Sequence, residues 1–325
     1  MEDGCLVKPI LSIVVPVFKA HNYIERCVRS LMEQTLKERV EFIFVNDCTP
    51  DDSIDIIQSV VGLFPERKSQ IYIINNKKNQ GITYTRRVGA EVATGEYIGW
   101  VDSDDWVDRC MFEKMIKATN MGKIDVVVCN YIECRPERTT EIRFIKSETP
   151  LKSIEGILSG KQTFSGTLWN QIFRRDLFLN HMNDIIPTNY SEDTYMIWHI
   201  YAHAHSIVYI DEVLYHYNKL NDESLMHSRS FSISSWNEQK ENLLKIQHCE
   251  YSDSPEYRRA LHFFMFFRKW EYKNCFNTPK ELFMTFRNAS KDIFFFPCIT
   301  NGNKLKSFLI NNFYPLFLLY YNKYK

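Results

Sequence analysis

With 325 residues, 45% hydrophobic and 25% charged, the chain has an ordinary globular composition and enough length for a substantial core, in one large domain or two smaller ones. Lys plus Arg equals Asp plus Glu at 40 each, which excludes a global field that would draw the chain to nucleic acid or an anionic membrane. The nine cysteines are scattered, without a CxxC or a zinc-type Cys/His spacing, so they read as reduced thiols in a cytosolic setting.

Met1 to Leu11 lacks a basic segment followed by an apolar run, so a secretory signal is not expected. Nor does any stretch reach the roughly 18–20 apolar residues that span a bilayer. The triplets Asn189-Tyr190-Ser191 and Asn288-Ala289-Ser290 then read as chance glycosylation matches.

Leu11 to Val15 is a β-branched run ended by Pro16, which predicts a central strand. Asn22-Tyr23-Ile24-Glu25 has the spacing of a capping box, ahead of a helix carrying Ile24, Val28, Leu31 and Met32. Glu41 to Val45 predicts a second strand, and Asp51-Asp52-Ser53 opens a helix with Ile54, Ile57 and Val61. Gln70 to Ile74 predicts a third strand. Thr83 to Thr94 predicts a helix with Val88 and Val92 inward, closed by Gly95 at a C′-like position. Glu96 to Val101 is a fourth strand, a helix follows near Met111 to Asn120, and Asp125 to Cys129 predicts a further strand. Such alternation implies a parallel α/β sheet, in which ligands sit beyond the carboxyl ends of the strands.

The polar residues with chemical character fall on that edge repeatedly: Pro16-Val17-Phe18, Asn46-Asp47, Asn75 through Gly81, and Asp102-Ser103-Asp104-Asp105. Three carboxylates in four residues repel one another unless a cation is present. Oxygen-only ligands select Mg2+ or Mn2+, with bound phosphate completing the shell. A solvated acidic turn is the plain alternative for one such loop, but it does not require three companion loops on the same edge. A P-loop GxxxxGK[ST] and a GxGxxG after the first strand are both missing.

On these residues the chain resembles glycosyltransferase family 2. The family pattern is met by Val15-Pro16-Val17-Phe18, by Asn46-Asp47-Cys48-Thr49 where Asp-Gly-Ser is usual, and by Asn79-Gln80-Gly81 with Arg86. Gly95-Glu96-Tyr97-Ile98 then leads into Asp102-Ser103-Asp104-Asp105. The match is close over roughly residues 9–110, the nucleotide-sugar half, and looser over 111–218, the acceptor half. The resemblance implies a GT-A (Rossmann-like) α/β fold: a mixed, mostly parallel sheet flanked by helices over 1–218, with a helical, aromatic-rich C-terminal region over 219–325.

It also implies roles. Pro16, Val17 and Phe18 would line the donor's base, and Asp47 would accept from a uracil imide, favouring a UDP-sugar donor. Asn79, Gly81, Arg86 and Ser103 would complete the donor site, Asp102 would bind ribose, and Asp104 would hold Mn2+ or Mg2+. Arg86 and Arg87 could face the diphosphate or form surface salt bridges; the family often has Asn at position 87. Asp105 would cap a helix after Trp106 or support the site from behind. In Ser191-Glu192-Asp193, ahead of an amphipathic helix from Thr194 to Ala204, Asp193 would be the general base and Glu192 an acceptor contact. An acidic first turn favoured by the helix dipole is the alternative. Trp169 would stack on an acceptor sugar or pack in the core. His216 would complete the metal shell or pack within its aromatic strand.

Beyond about Asn218, Ser234 to Gln247 and Glu256 to Asn274 read as helices, the second crowded with Phe263, Phe264, Phe266, Phe267 and Trp270. The tail from Phe308 to Tyr321 is apolar and aromatic, flanked by Lys304, Lys306, Lys323 and Lys325. It suits either a peripheral membrane contact or core packing. The expectation is an inverting, metal-dependent transferase that moves a hexosyl or N-acetylhexosaminyl group from a UDP-sugar to a glycan or lipid-linked acceptor. It would act in bacterial surface-polysaccharide assembly, in the cytoplasm or on the cytoplasmic face of the inner membrane. The alternatives are a nucleotidyltransferase with a metal–carboxylate site and a non-catalytic nucleotide- or glycan-binding module.

Overall fold

The computed structural model describes residues 8–159, 165–188, 191–220, 231–248, 253–295, 299 and 301–323. Residues 1–7 of the N-terminal reading, Asn189-Tyr190 of the first glycosylation triplet and Lys325 lie outside them. The chain forms two compact units, 1–150 with 165–227, and 151–164 with 228–325. The sequence reading drew one cut, after residue 218; the chain crosses between units at 150/151, 164/165 and 227/228.

In chain order the elements are β1 (Leu11–Val17), α1 (Ile24–Met32), β2 (Val40–Asn46), α2 (Ser53–Val61), β3 (Ile71–Asn75), α3 (Ile82–Val92), β4 (Tyr97–Trp100) and β5 (Trp106–Val107). There follow α4 (Met111–Ala118), β6 (Val126–Cys134), β7 (Thr139–Ile142), α5 (Pro150–Leu158), β8 (Gln171–Arg174), α6 (Arg175–His181), α7 (Glu192–His203) and β9 (Ile207–Asn218). Among the described residues the strands make one mixed sheet, ordered β3-β2-β1-β4-β8-β6-β9-β5, with β7 beside β6. Parallel pairs join β3, β2, β1 and β4, as the strand–helix alternation requires. Antiparallel pairing begins where β8 meets β4, and β6 and β9 run parallel further along.

All seven residues of β1 are buried, which explains its unbroken apolar sequence. Pro16 is tolerated in this central strand because pairing with β4 ends at Val14. The first unit's core joins Ile13, Val15 and Val17 of β1 to Ile24, Val28 and Leu31 of α1.

Three local expectations give way. The capping box at Asn22 does not form: Tyr23 and Ile24 donate their N–H groups to Ala20, and Glu25 turns to Arg29 at 2.8 Å instead of back to the helix start. Val92 of α3 is exposed, and the helix lies on the sheet through Thr85, Gly89 and Ala90. Its closest approach is at Gly89, where a Cβ would fall 2.3 Å from Val14 Cγ1. Gly95 is not a left-handed cap. It is small because Ser12 passes beside it, with Ser12 Oγ accepting from its N–H at 2.8 Å.

The second unit contains α5, α8 (Ile233–Gln247), α9 (Pro255–Glu271), α10 (Pro279–Met284), α11 (Asn301–Asn312) and α12 (Tyr314–Lys323). Its aromatic cluster gathers Trp236, Tyr272, Phe276, Phe283 and Phe317, so the tail does pack inward through Phe317. The same tail leaves Phe313, Leu316 and Leu319 exposed at 52%, 42% and 70%. Among the described residues no helix is long and apolar enough to cross a membrane.

Candidate active site

The loop after β4 owes its shape to the end of β9. Asp105 is fully buried, and its carboxyl accepts from the Tyr215 hydroxyl at 2.6 Å and from the Asn218 N–H at 2.7 Å. Asn218 also donates through Nδ2 to the Asp104 carbonyl at 3.0 Å, and the Asp102 N–H donates to the Tyr215 oxygen at 3.2 Å. Burial, with Asp104 and Asp102 close by, pushes the Asp105 carboxyl well above the usual range. Trp106 begins a strand, so Asp105 caps no helix there; it anchors the loop from behind. That leaves Asp102 and Asp104 part-exposed, with Ser103 in the turn between them.

Arg86 gathers the acidic residues. The close seat of α3 at Gly89, one turn on, sets this side chain beside the β4 loop and the first turn of α7. Its guanidinium, 3% exposed, meets Asp102 Oδ1 at 3.0 Å, Glu192 Oε1 at 2.7 Å and Asp193 Oδ1 at 2.5 Å. Thr83 at the head of α3 donates to the Thr188 carbonyl at 2.8 Å, joining α3 to the segment that enters α7. Ser191, left-handed at φ 59°, turns the chain so that α7 begins on Glu192 and Asp193.

Three carboxylates on one cation leave net negative charge. Burial, acting against the attraction of Arg86 and aided by Glu192 and Asp102, raises the Asp193 carboxyl to about 8. The Leu168 N–H donates to its second oxygen at 3.3 Å. The same carboxylates raise the Arg86 guanidinium despite its burial. Arg86 Nε is buried, and among the described residues it has no hydrogen-bond acceptor. Arg87 turns elsewhere, donating to the Met182 carbonyl at 3.3 Å.

On the β1–β3 side, Asp47 is buried and accepts from Asn76 Nδ2 at 2.8 Å, Gln80 N at 2.9 Å and Gly81 N at 2.9 Å. The carboxylate therefore folds the 76–81 loop around itself. Gly81 needs its φ of 84° to start α3 from that loop, and Asn79 is exposed on it. Pro16 and Val17 are buried in β1, whereas Phe18 is exposed just beyond the strand. Cys48, where the family pattern has glycine, holds a left-handed φ of 57°.

Trp169 packs in the core, and His216 packs within its aromatic strand. Trp169 is only 4% exposed, stacked on Tyr215 at 4.3 Å and Tyr217 at 5.3 Å, with Tyr131 edge-on at 4.7 Å. His216 alternates to the opposite face of β9 from those tyrosines and stacks on Trp106 at 5.0 Å. Arg26 lies over that same indole at 3.4 Å. Burial holds the His216 imidazole below its usual pKa, with Asp108 opposing and Arg26 adding.

The sequence reading missed Tyr215, Asn218 and Gly89. Strand alternation around His216 was the available signal for Tyr215. Among the described residues no three His, Cys, Asp or Glu side chains form a ready cation cage. Asp102 and Asp104 nonetheless offer hard carboxylate oxygens on a part-exposed loop, a donor set that fits Mg2+ or Mn2+ when ligand phosphates complete the shell.

Residues 12–181 match the family described as Glycosyl transferase family 2. The chain is 31% identical to Bacillus subtilis "Uncharacterized glycosyltransferase EpsJ" over 224 residues, covering 67% of this chain and 63% of that protein. It is 29% identical to B. subtilis "Putative glycosyltransferase EpsH" over 217 residues, covering 64% of this chain and 60% of that one. The chain thus spans less than two thirds of the length of these relatives. In fold it is similar to S. aureus TarS 1-349 in complex with UDP-GlcNAc, with a TM-score of 0.68 at 18% identity, covering 93% of this chain and 89% of that one. It is also similar to the mannosyltransferase PcManGT from Pyrobaculum calidifontis in complex with GDP-Man and Mn2+, with a TM-score of 0.57 at 13% identity, covering 95% and 88%.

Proposed function

The chain belongs to glycosyltransferase family 2, and from that membership we propose that it is an inverting transferase using a UDP-sugar donor and a glycan or lipid-linked hydroxyl acceptor. Its setting would be bacterial surface-polysaccharide assembly. The observation that carries the reading is that one guanidinium, Arg86, touches both Asp102 and Asp193. The carboxylates proposed for the donor and acceptor sides are thus held by one guanidinium.

Phe18 would stack on the base and Asp47 would accept from its imide, with Pro16 and Val17 backing them and Asn79, Gly81 and Ser103 completing the donor site. Asp102 would bind the ribose. Asp104 would hold the divalent cation, whose chemistry is to offset charge on the departing diphosphate. Asp193 takes the acceptor's hydroxyl proton. The new C–O bond forms at the anomeric carbon as the bond to phosphate breaks and its electron pair leaves with UDP. Attack from the side opposite UDP inverts the centre. Glu192 would bind the acceptor, and Trp169 would support the site from the core beneath Tyr215 and Tyr217. A carboxyl raised to about 8 is a proton acceptor matched to neutral and mildly basic conditions.

The exposed Phe313, Leu316 and Leu319 would let the tail rest on a lipid surface near a lipid-linked acceptor. The decisive assay mixes the purified protein with Mn2+, a UDP-sugar panel and glycan acceptors, and follows UDP release. EDTA abolishes turnover if Asp104 acts as stated, and turnover unaffected by EDTA removes the metal role. Asp193→Asn retains UDP binding and loses transfer; unchanged transfer removes the base assignment.

A further inference from the structure

We propose that Arg86 is the positioning residue of the general base, rather than a ligand of the donor diphosphate. This inference rests on the transferase reading above. The Arg86 fork spends one terminal nitrogen on Glu192 and Asp193 and the other on Asp102. The loop after β4 and the first turn of α7 are therefore referred to one rigid planar group. Asp193 lies two residues after a left-handed Ser191, at the first turn of a helix, and its other contact is the longer one from the Leu168 N–H at 3.3 Å. Without the guanidinium, the Asp193 carboxyl would keep only the Leu168 contact among those described and its rotamer would be loosely set.

The anchor for the fork is Asp102, whose own loop is fixed through Tyr215. The orientation of the base is thereby inherited from the donor-side loop. Attack geometry on an anomeric carbon tolerates little displacement, so this linkage acts on turnover. A lysine keeps the charge but reaches only one carboxylate at a time, because an ammonium is a point and a guanidinium is a fork.

The test compares Arg86→Lys and Arg86→Ala with the wild type. UDP affinity is measured by calorimetry, and kcat and KM by UDP release. For Arg86→Lys, UDP affinity stays within about threefold while kcat falls about 100-fold or more. Added guanidinium restores about tenfold of the activity lost in Arg86→Ala, which a purely structural defect would not show. Arg86→Lys retaining kcat within about threefold would overturn the proposal, as would UDP affinity falling in step with kcat, the mark of a donor ligand.

Wild-type protein that transfers nothing would defeat the transferase reading instead. The linkage is then read from denaturation of Arg86→Lys, Asp193→Asn and the double variant. Coupling of about tenfold or more in the folding equilibrium supports the pair, and additive effects refute it.

Discussion

As the proposed base, Asp193 would set the pH dependence of the reaction. Its carboxyl is carried from an ordinary 3.8 to about 8 by burial and by the charges of Glu192 and Asp102, against the pull of Arg86. A base with that value is ionised in about one molecule in ten at pH 7, half at pH 8 and nine in ten at pH 9. The assay is kcat/KM against pH with saturating Mn2+, which reports groups of the free enzyme. An acid limb with a midpoint near 8 and a roughly tenfold rise from pH 7 to 9 is expected. Glu192→Gln removes one of the charges that raise Asp193, so the limb moves to lower pH. Stability runs the other way. Below the ordinary carboxylate range Asp193 is protonated in both folded and unfolded chains and carries no penalty. As pH rises, the unfolded chain ionises first, and stability is lost progressively until the folded carboxyl ionises near 8. A flat kcat/KM profile from pH 6 to 9, or a limb unmoved by Glu192→Gln, would refute the reasoning.

Asp47→Ala strands the Asn76, Gln80 and Gly81 donors, so about 2–4 kcal/mol of stability is lost in urea titration, along with UDP binding. Gly89→Val drives a Cβ to within 2.3 Å of Val14 Cγ1 and costs about 1–3 kcal/mol by the same measurement, with α3 and Arg86 displaced. Cys48→Gly relieves a left-handed backbone at φ 57° and raises stability by about 0.5–1 kcal/mol; no gain would mean that the thiol or its loop compensates. Leu316→Glu with Leu319→Glu lowers cosedimentation with phosphatidylglycerol vesicles about tenfold, and equal sedimentation would exclude the tail as a lipid contact.

The parallel half of the sheet was legible because strands buried on both faces must be apolar, and because each ended in a polar loop on the same edge. Asp102, Glu192 and Asp193 were legible as types of residue, but their meeting at one guanidinium was not. Asp102 and Asp193 stand far apart in sequence, and what joins them is the close seat of a glycine on Val14. His216 drew attention as a familiar metal ligand. The neighbouring Tyr215 instead holds the loop, since alternation along β9 sends the two side chains to opposite faces. The capping box at Asn22 met a spacing rule and was overruled by Ala20, whose carbonyl takes the N–H groups first.

The latch from Asn218 to Asp105 closes 113 residues of chain. At about 5–20 residues per second of synthesis, the acidic loop leaves the ribosome roughly 6–23 s before its partner strand exists. During that interval Asp105 has no Tyr215 hydroxyl to accept a hydrogen bond from and no reason to be buried, so the nascent chain carries a hydrated acidic loop. The cation site proposed at Asp104 would therefore be completed late in the life of each molecule, with the final strand of the sheet.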